Sequence, residues 1–368
     1  MIARLLGAAA LLTPAAAQAA EDAAWAGVYE GTIGRYPVTV CFQSWGDGSA
    51  LGAYYYHSQL KPIRLNGTGD PARWIEVAEG DNPEARTGPR WSLQGLGGDT
   101  VTGTWRDGRR AFPITLKGVL DDSAAEGSPC GSSAFVARRV MPAAFDRTED
   151  TADGFAFTRV SYKAPAHFSD VSIESFAFIP SQPGDAAIVR ELEAGLPRGA
   201  VDDEFIQCIT GGLGSLGIDG FWEQSSSPAY VSKAFLAVQT SLGTFCGGAH
   251  PNFGSYQRVF DRETGAEVKL EGWLGAAAWG EVEYDMRPLA SALRELALTH
   301  WPDDSEPECR EAALDQSYWT FGLSAAGFSL TPDFPHVLTA CEETATVPWT
   351  EIEPYLSDEG KAARARMR

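Results

Sequence analysis

Positive charge is scarce in this sequence. It carries 29 Lys+Arg against 49 Asp+Glu over 368 residues, a net charge of −20 with its five histidines neutral. A balance this acidic repels nucleic acid and anionic lipid and attracts cationic partners. The histidines are scattered, at His57, His167, His250, His300 and His336. None forms H-x-x-x-H or an i, i+4 pair, so no zinc-hydrolase motif is present. C-x-x-C is absent, which excludes the common zinc-ribbon and thioredoxin-like readings. The G-x-S-x-G elbow is absent as well. In Gly-Gly-Leu-Gly-Ser-Leu-Gly around Ser215, Leu213 stands where that pattern needs glycine, and the stretch reads as a flexible loop. After the first twenty residues no run approaches the roughly 18 apolar residues that cross a bilayer. Nothing marks a cofactor or a metal site.

What is present begins with a leader. Arg4 precedes the apolar run LLGAAALLTPAAA, and Ala17 and Ala19 suit an A-x-A cleavage site. Residues 1–20 read as a secretory signal peptide of bacterial type, so the expected location is periplasmic or secreted. Six cysteines (Cys41, Cys130, Cys208, Cys246, Cys309 and Cys341) fit an oxidising compartment. They can pair in about 15 ways; Cys41–Cys130, Cys208–Cys246 and Cys309–Cys341 are expected. Charge is uneven. Residues 21–140 hold 12 Lys+Arg and 14 Asp+Glu, a net of −2, and residues 141–368 hold 16 and 35, a net of −19.

Short alternating segments broken by Gly, Asn and Asp fill residues 21–140: WAGVYEGTIGRYPVTVCFQ, SALGAYYYHSQLKPIRLNG, ARWIEVAEG, RWSLQGLGGD and TVTGTWRDGRRAFPITL. This is the pattern of an antiparallel meander or small barrel. The segments Gly27–Gly31 and Gly103–Trp105 mark its opening and closing strands, and FVARRV is a last strand. The acidic, proline-bearing residues 141–154 read as a linker. From residue 155 strands and helices mix without a βαβ rhythm, so the fold class expected is α+β, with helices packed on a mixed, mostly antiparallel sheet. GDAAIVRELEAGLP is an amphipathic helix. The stretch from Gly280 to Trp301 reads as the best-formed helix in the chain, and residues 357–368 read as a frayed basic tail.

In this second region the motifs fall in a fixed order. A strand ends in Gly247-Gly248-Ala249-His250. A hairpin with Phe260-Asp261, Thr264-Gly265 and Leu270 follows, and a G-L-S-x-x-G-F-S-L hairpin precedes P-W-T-E-I-E-P-Y-L. This order resembles the C-terminal domain of unknown function shared by lysozyme-sensing anti-sigma factors (RsiV type) and some peptidoglycan deacetylases, over residues 155–356. The resemblance implies binding of a cationic muramidase or of a wall component. The chain departs from both groups, having no membrane helix and no deacetylase stretch.

Candidate binding residues follow. Gly247 and Gly248 can take positive φ and bend the strand end. His250 behind them is either a functional imidazole or a side chain that ties down the loop. Asp303 and Asp304, in WPDDSEPEC, lack the spacing and glycine of an EF-hand and read as a solvated acidic loop beside a disulfide. Alternation puts Tyr54 and Tyr56 on one barrel face and Tyr55 on the other, where Tyr55 with Trp45 and Trp91 would stack on sugars. Two functions lead. One is an exported cell-envelope binding protein whose acidic second domain takes a cationic protein such as lysozyme, or peptidoglycan. The other is a wall-directed hydrolase using His250 with a nearby carboxylate. A barrel carrying a small apolar ligand is a third.

Overall fold

The structure is a computed structural model that describes residues 25–45, 47–77, 86–119, 128–282 and 287–367. The leader expected at 1–20 lies outside the described residues. The chain divides into two compact units, one holding residues 1–58 and 63–130, the other residues 59–62 and 131–368.

The first unit is a closed eight-stranded antiparallel barrel. Its strands are β1 (Gly27–Ile33), β2 (Tyr36–Ser44), β3 (Ala50–Tyr56), β4 (Ile63–Gly67), β5 (Arg73–Val77), β6 (Arg90–Gln94), β7 (Thr100–Asp107) and β8 (Arg110–Gly118). Each pairs with the next, and β1 pairs back onto β8, Gly31 facing Leu116. Closure leaves no edge strand to aggregate. The closing strand is therefore β8, one hairpin beyond the 103–105 segment expected in that place. Period-2 alternation sends Val38, Val40, Phe42, Tyr54, Leu65, Trp74, Trp91, Leu93 and Leu116 into one filled interior.

The second unit opens on α1 (Ser133–Val136) and a 3-10 turn over Ala137–Arg139. FVARRV is thus helical and not a barrel strand, because Ser132 caps the Phe135 amide. Residues expected as linker form β9 (Phe145–Ala152), which pairs with β10 (Phe155–Tyr162). With β11 (Val171–Ala177), β12 (Phe221–Val231), β13 (Phe235–Phe245), β14 (Asn252–Asp261) and β15 (Glu267–Val268) it builds a seven-stranded sheet in the order β15-β14-β13-β12-β11-β10-β9. All pairings are antiparallel except β11 with β12. Two helices, α2 (Asp185–Ala194) and α3 (Glu204–Leu216), lay Ile188, Leu192, Phe205, Ile206 and Ile209 against one face.

Part of the other face, around Phe235, Ala237 and Val259, is covered by a larger core. That core collects α4 (Ser291–Thr299), α5 (Pro307–Asp315), the three-stranded sheet β16 (Trp319–Leu323), β17 (Gly327–Pro332) and β18 (Ala345–Pro348), then α6 (Trp349–Ile352) and α7 (Asp358–Arg366). The class is α+β as the sequence implied. Three local expectations are corrected. The long helix of 280–301 shrinks to α4, because Leu289 enters a bridge with Trp279 and Pro288 precedes it. The basic tail is α7, held by Arg364 to Glu353 and Arg366 to Asp261. The glycine-rich stretch around Ser215 is not a loop but the second half of α3. A side chain at Gly211 or Gly212 would press within 2.4 Å of the Cys246 carbonyl or 2.6 Å of the Gly220 amide.

All six cysteines are bonded, as Cys41–Cys130, Cys208–Cys246 and Cys309–Cys341, the pairing expected from the sequence. Bridges of this kind belong to an oxidising compartment. Among the described residues no helix is long and apolar enough to cross a membrane.

Candidate functional site

The Gly-Gly-Ala-His corner sits where β13 runs out. Cys246 is bonded to Cys208 of α3, which pins the turn against that helix. Gly247 takes φ +87°, and a Cβ there would fall 2.0 Å from Ser215 Oγ and 2.4 Å from the Gly211 carbonyl. Gly248 meets nothing within 4 Å and has an ordinary φ. His250 is exposed. Its Nδ1 lies 3.0 Å from the Pro251 carbonyl, and its ring stacks on exposed His336 at 3.7 Å and 11°. Among the described residues no carboxylate bonds or ion-pairs with either ring.

The motifs beyond the corner lock the fold. Asp261 accepts from the Glu263 and Thr264 amides and from Arg366. Arg262 donates Nε and Nη2 to the two carboxylate oxygens of fully buried Asp185. Burial alone would raise the Asp185 carboxyl, but Arg262 and the Ser181 and Gln182 amides outweigh it and hold it below the usual value. Gly265, at φ +78°, leaves its missing Cβ to Ala187 and to the Gly184 carbonyl.

Asp303 and Asp304 lie in an exposed acidic stretch with Glu306, Glu308, Glu311 and Asp315. The last three ride on α5, which Cys309–Cys341 fastens down. Among the described residues none of the six carboxylates joins an ion pair, and Arg310 turns away to the Leu298 carbonyl. The described residues hold no group of three or more His, Cys, Asp or Glu placed to take a metal ion.

The barrel places its candidates differently. Tyr55 is fully buried and Trp91 nearly so, leaving Trp45 as the exposed ring of that set. Sequence reasoning missed Glu76. Its Oε1 accepts from Tyr54 Oη at 2.8 Å, Trp91 Nε1 at 2.8 Å and Trp105 Nε1 at 2.5 Å. Burial raises the Glu76 carboxyl above its usual value, and the three donors offset only part of that. The signal was available: in Arg73–Val77 the acid shares the face of Trp74.

No family model matches the chain, and no curated protein matches it. Among solved structures it is similar to a DUF3298 family protein from Pseudomonas aeruginosa PAO1, at 13% identity over 60% of this chain and 96% of that one, with a TM-score of 0.32. It is also similar to a DUF3298 family member from Bacteroides fragilis NCTC 9343, at 12% identity over 62% and 98%, with a TM-score of 0.38.

Proposed function

We propose that this chain is an exported cell-envelope protein that binds rather than catalyses, and that its acidic second unit takes a cationic protein partner, a muramidase in the first instance. The observation that carries the reading is the run of six exposed carboxylates from Asp303 to Asp315, fastened by a disulfide and outside every ion pair among the described residues. Carboxylates already matched within the fold have little field to offer a partner; these keep theirs. They sit in a region whose sequence carries a net of −19. A field of one sign raises association rates by 10-fold or more and fades as salt shortens the Debye length from about 14 Å near 0.05 M to about 4 Å near 0.5 M. The resemblance to lysozyme-sensing domains points to the same class of partner. His250, stacked on His336 and bonded to no carboxylate among the described residues, favours binding over the hydrolase reading.

The test uses the purified chain and hen lysozyme at about 50 mM and about 500 mM salt, with cytochrome c as a cationic protein that is not a muramidase. Binding of lysozyme at low salt, weakened at high salt and slowed about tenfold by Asp303→Lys with Asp304→Lys, is expected. Absence of lysozyme binding at low salt, or equal binding of cytochrome c, overturns the muramidase reading.

A further inference from the structure

One face of the seven-stranded sheet is covered by α2 and α3 along its length. Among the described residues the opposite face is covered around Phe235, Ala237 and Val259 by the C-terminal core, and at Gln257, whose Oε1 accepts from the Leu323 amide of β16. Following the same face along β13 with period 2 gives Gln239, Ser241, Gly243 and Phe245. At Ser241 and Gly243 the sheet lies open as a groove of about 450 Å³, within the usual range of small-ligand clefts.

The register sets its floor as two rows across four strands. Ser172 faces Glu223, Glu223 faces Gly243, and Gly243 faces Phe253. In the next row Glu174 faces Ser225, Ser225 faces Ser241, and Ser241 faces Ser255. At about 4.8 Å per strand, a row spans roughly 14 Å.

Phe253 is the centre. A Cβ on Gly243 would sit 3.0 Å from Cδ1 and Cε1 of the Phe253 ring, so only glycine lets the ring lie across β13. The same point is 3.7 Å from Glu223 Oε2, which puts the carboxylate beside the ring. Phe221, 5.9 Å away, props the ring from its side, and 55% of Phe253 stays exposed. Glu223, Ser172, Ser225 and Ser241 are exposed, and none has a side-chain hydrogen bond or ion pair among the described residues. Glu174, by contrast, is already held by Arg159 and Ser161.

We propose that this groove binds an oligosaccharide carrying free amino groups, a glucosamine-type glycan. A pyranose ring presents axial C–H bonds to a flat aromatic face, hydroxyls at its rim, and here an ammonium for a carboxylate. Phe253 offers the first contact, Ser172, Ser225 and Ser241 the second, and Glu223 the third. An amphipathic helix would need a continuous apolar strip, whereas the rings here, Phe253 with Phe221 and Phe245 behind it, gather at one end of rows otherwise built of serine, glutamate and glycine. A charge-assisted bond to Glu223 is stronger than a neutral one, so the amine separates this ligand from a neutral glycan. The groove shares no residue with the carboxylates of the proposed protein-binding stretch.

Calorimetric titration of the full chain with glucosamine hexamer, N-acetylglucosamine hexamer and cellohexaose tests it. Expected is binding of glucosamine hexamer about tenfold tighter than the two neutral glycans, a gap that Glu223→Gln closes. Phe253→Ala, which changes no charge at an exposed position, should weaken it about tenfold while circular dichroism and melting stay unchanged. No binding of glucosamine hexamer overturns the proposal. So does equal binding by wild type and Phe253→Ala, which marks diffuse attraction of a polycation to an acidic protein. Asp303→Lys with Asp304→Lys should leave the sugar titration unchanged, so this inference and the protein-binding reading fail separately. If Phe253→Ala and Glu223→Gln weaken lysozyme binding and glucosamine hexamer does not bind, the groove recognises a cationic side chain and the glycan assignment falls.

Discussion

Arg139 grips Asp219 with both terminal nitrogens, Nη1 donating to Oδ1 at 2.8 Å and Nη2 to Oδ2 at 2.5 Å. The arginine side chain is fully buried, and its Nε donates to the Leu60 carbonyl at 2.8 Å. Burial pushes the Asp219 carboxyl up even beside this guanidinium. Removing the carboxylate takes two charge-assisted bonds from a buried guanidinium, so Asp219→Ala should lower unfolding free energy by about 3–5 kcal/mol, read by denaturant titration. A loss under about 1 kcal/mol would mean that water reaches Arg139.

The same arginine bears on pH. The Arg139 carbonyl accepts from His167 Nε2 at 2.7 Å. Burial is the main cause that holds His167 below its ordinary value of 6.5. A histidine kept neutral in the fold contributes fully above its unfolded pKa, and that contribution is lost as pH falls from about 6.5 toward the folded value. Asp185 and Asp203 are held low, so their share survives until more acid conditions. The stability of wild type relative to His167→Gln should therefore decline between pH 7 and pH 5. A flat difference across that window would refute the assignment.

Gly247 and Gly248 are neighbours with opposite requirements. Positive φ and a missing Cβ pressed on Ser215 and Gly211 make Gly247 irreplaceable, whereas Gly248 opens on empty space. Gly247→Ala should cost more than about 1 kcal/mol, and Gly248→Ala should be neutral or stabilising by up to about 1 kcal/mol through the unfolded chain. Thermal melts of the two variants decide it; equal effects would contradict the geometry.

The sequence carried the barrel well, because alternation and turn residues coincide on nearly every strand there. It hid β9, whose residues are mostly exposed at a sheet edge and so read as polar linker. It hid the helical glycines of α3, where loss of about 1 kcal/mol per glycine in propensity is outweighed by close approach to Cys246 and Gly220. The Gly-Gly-Ala-His corner was visible as a motif, but only the folded chain separates its two glycines and stacks His250 on His336. The row from Ser172 to Phe253 draws on strands far apart in the chain, and no local pattern announces it; of Glu76 only the face it shares with Trp74 was legible, not its partners Tyr54, Trp91 and Trp105 on other strands.

Glu76 gives a cleaner electrostatic test. Its raised carboxyl means that stability from this group is fullest below about pH 4.5 and is lost as pH rises through the folded value. Glutamine keeps an acceptor for Tyr54, Trp91 and Trp105 without the charge. Glu76→Gln should therefore equal or exceed wild type near pH 7 and lose that advantage in acid. Glu76→Ala takes the acceptor from buried Trp91 and leaves Tyr54 only its hydrogen bond with Tyr56, and should cost at least about 1–3 kcal/mol. If the alanine variant is as stable as the glutamine one, the three bonds to Oε1 are not holding the barrel interior.

The three disulfides differ in what they span and in what reaches them. Cys41 and Cys130 are both fully buried and lie 89 residues apart; Cys208–Cys246 and Cys309–Cys341 span 38 and 32 residues, with Cys246 exposed and Cys309 and Cys341 half-buried. In the chain-entropy account, longer loops yield more stability, so removing Cys41–Cys130 by paired serines should cost about 4–5 kcal/mol and removing Cys309–Cys341 about 3–4 kcal/mol. Kinetics should follow exposure instead, since thiolate attack needs access to a sulfur. Under dithiothreitol at neutral pH without denaturant, alkylation and mass spectrometry should find Cys208–Cys246 and Cys309–Cys341 opened first. Cys41–Cys130 should resist until the barrel unfolds, and its early reduction would show that the barrel opens locally around Cys41.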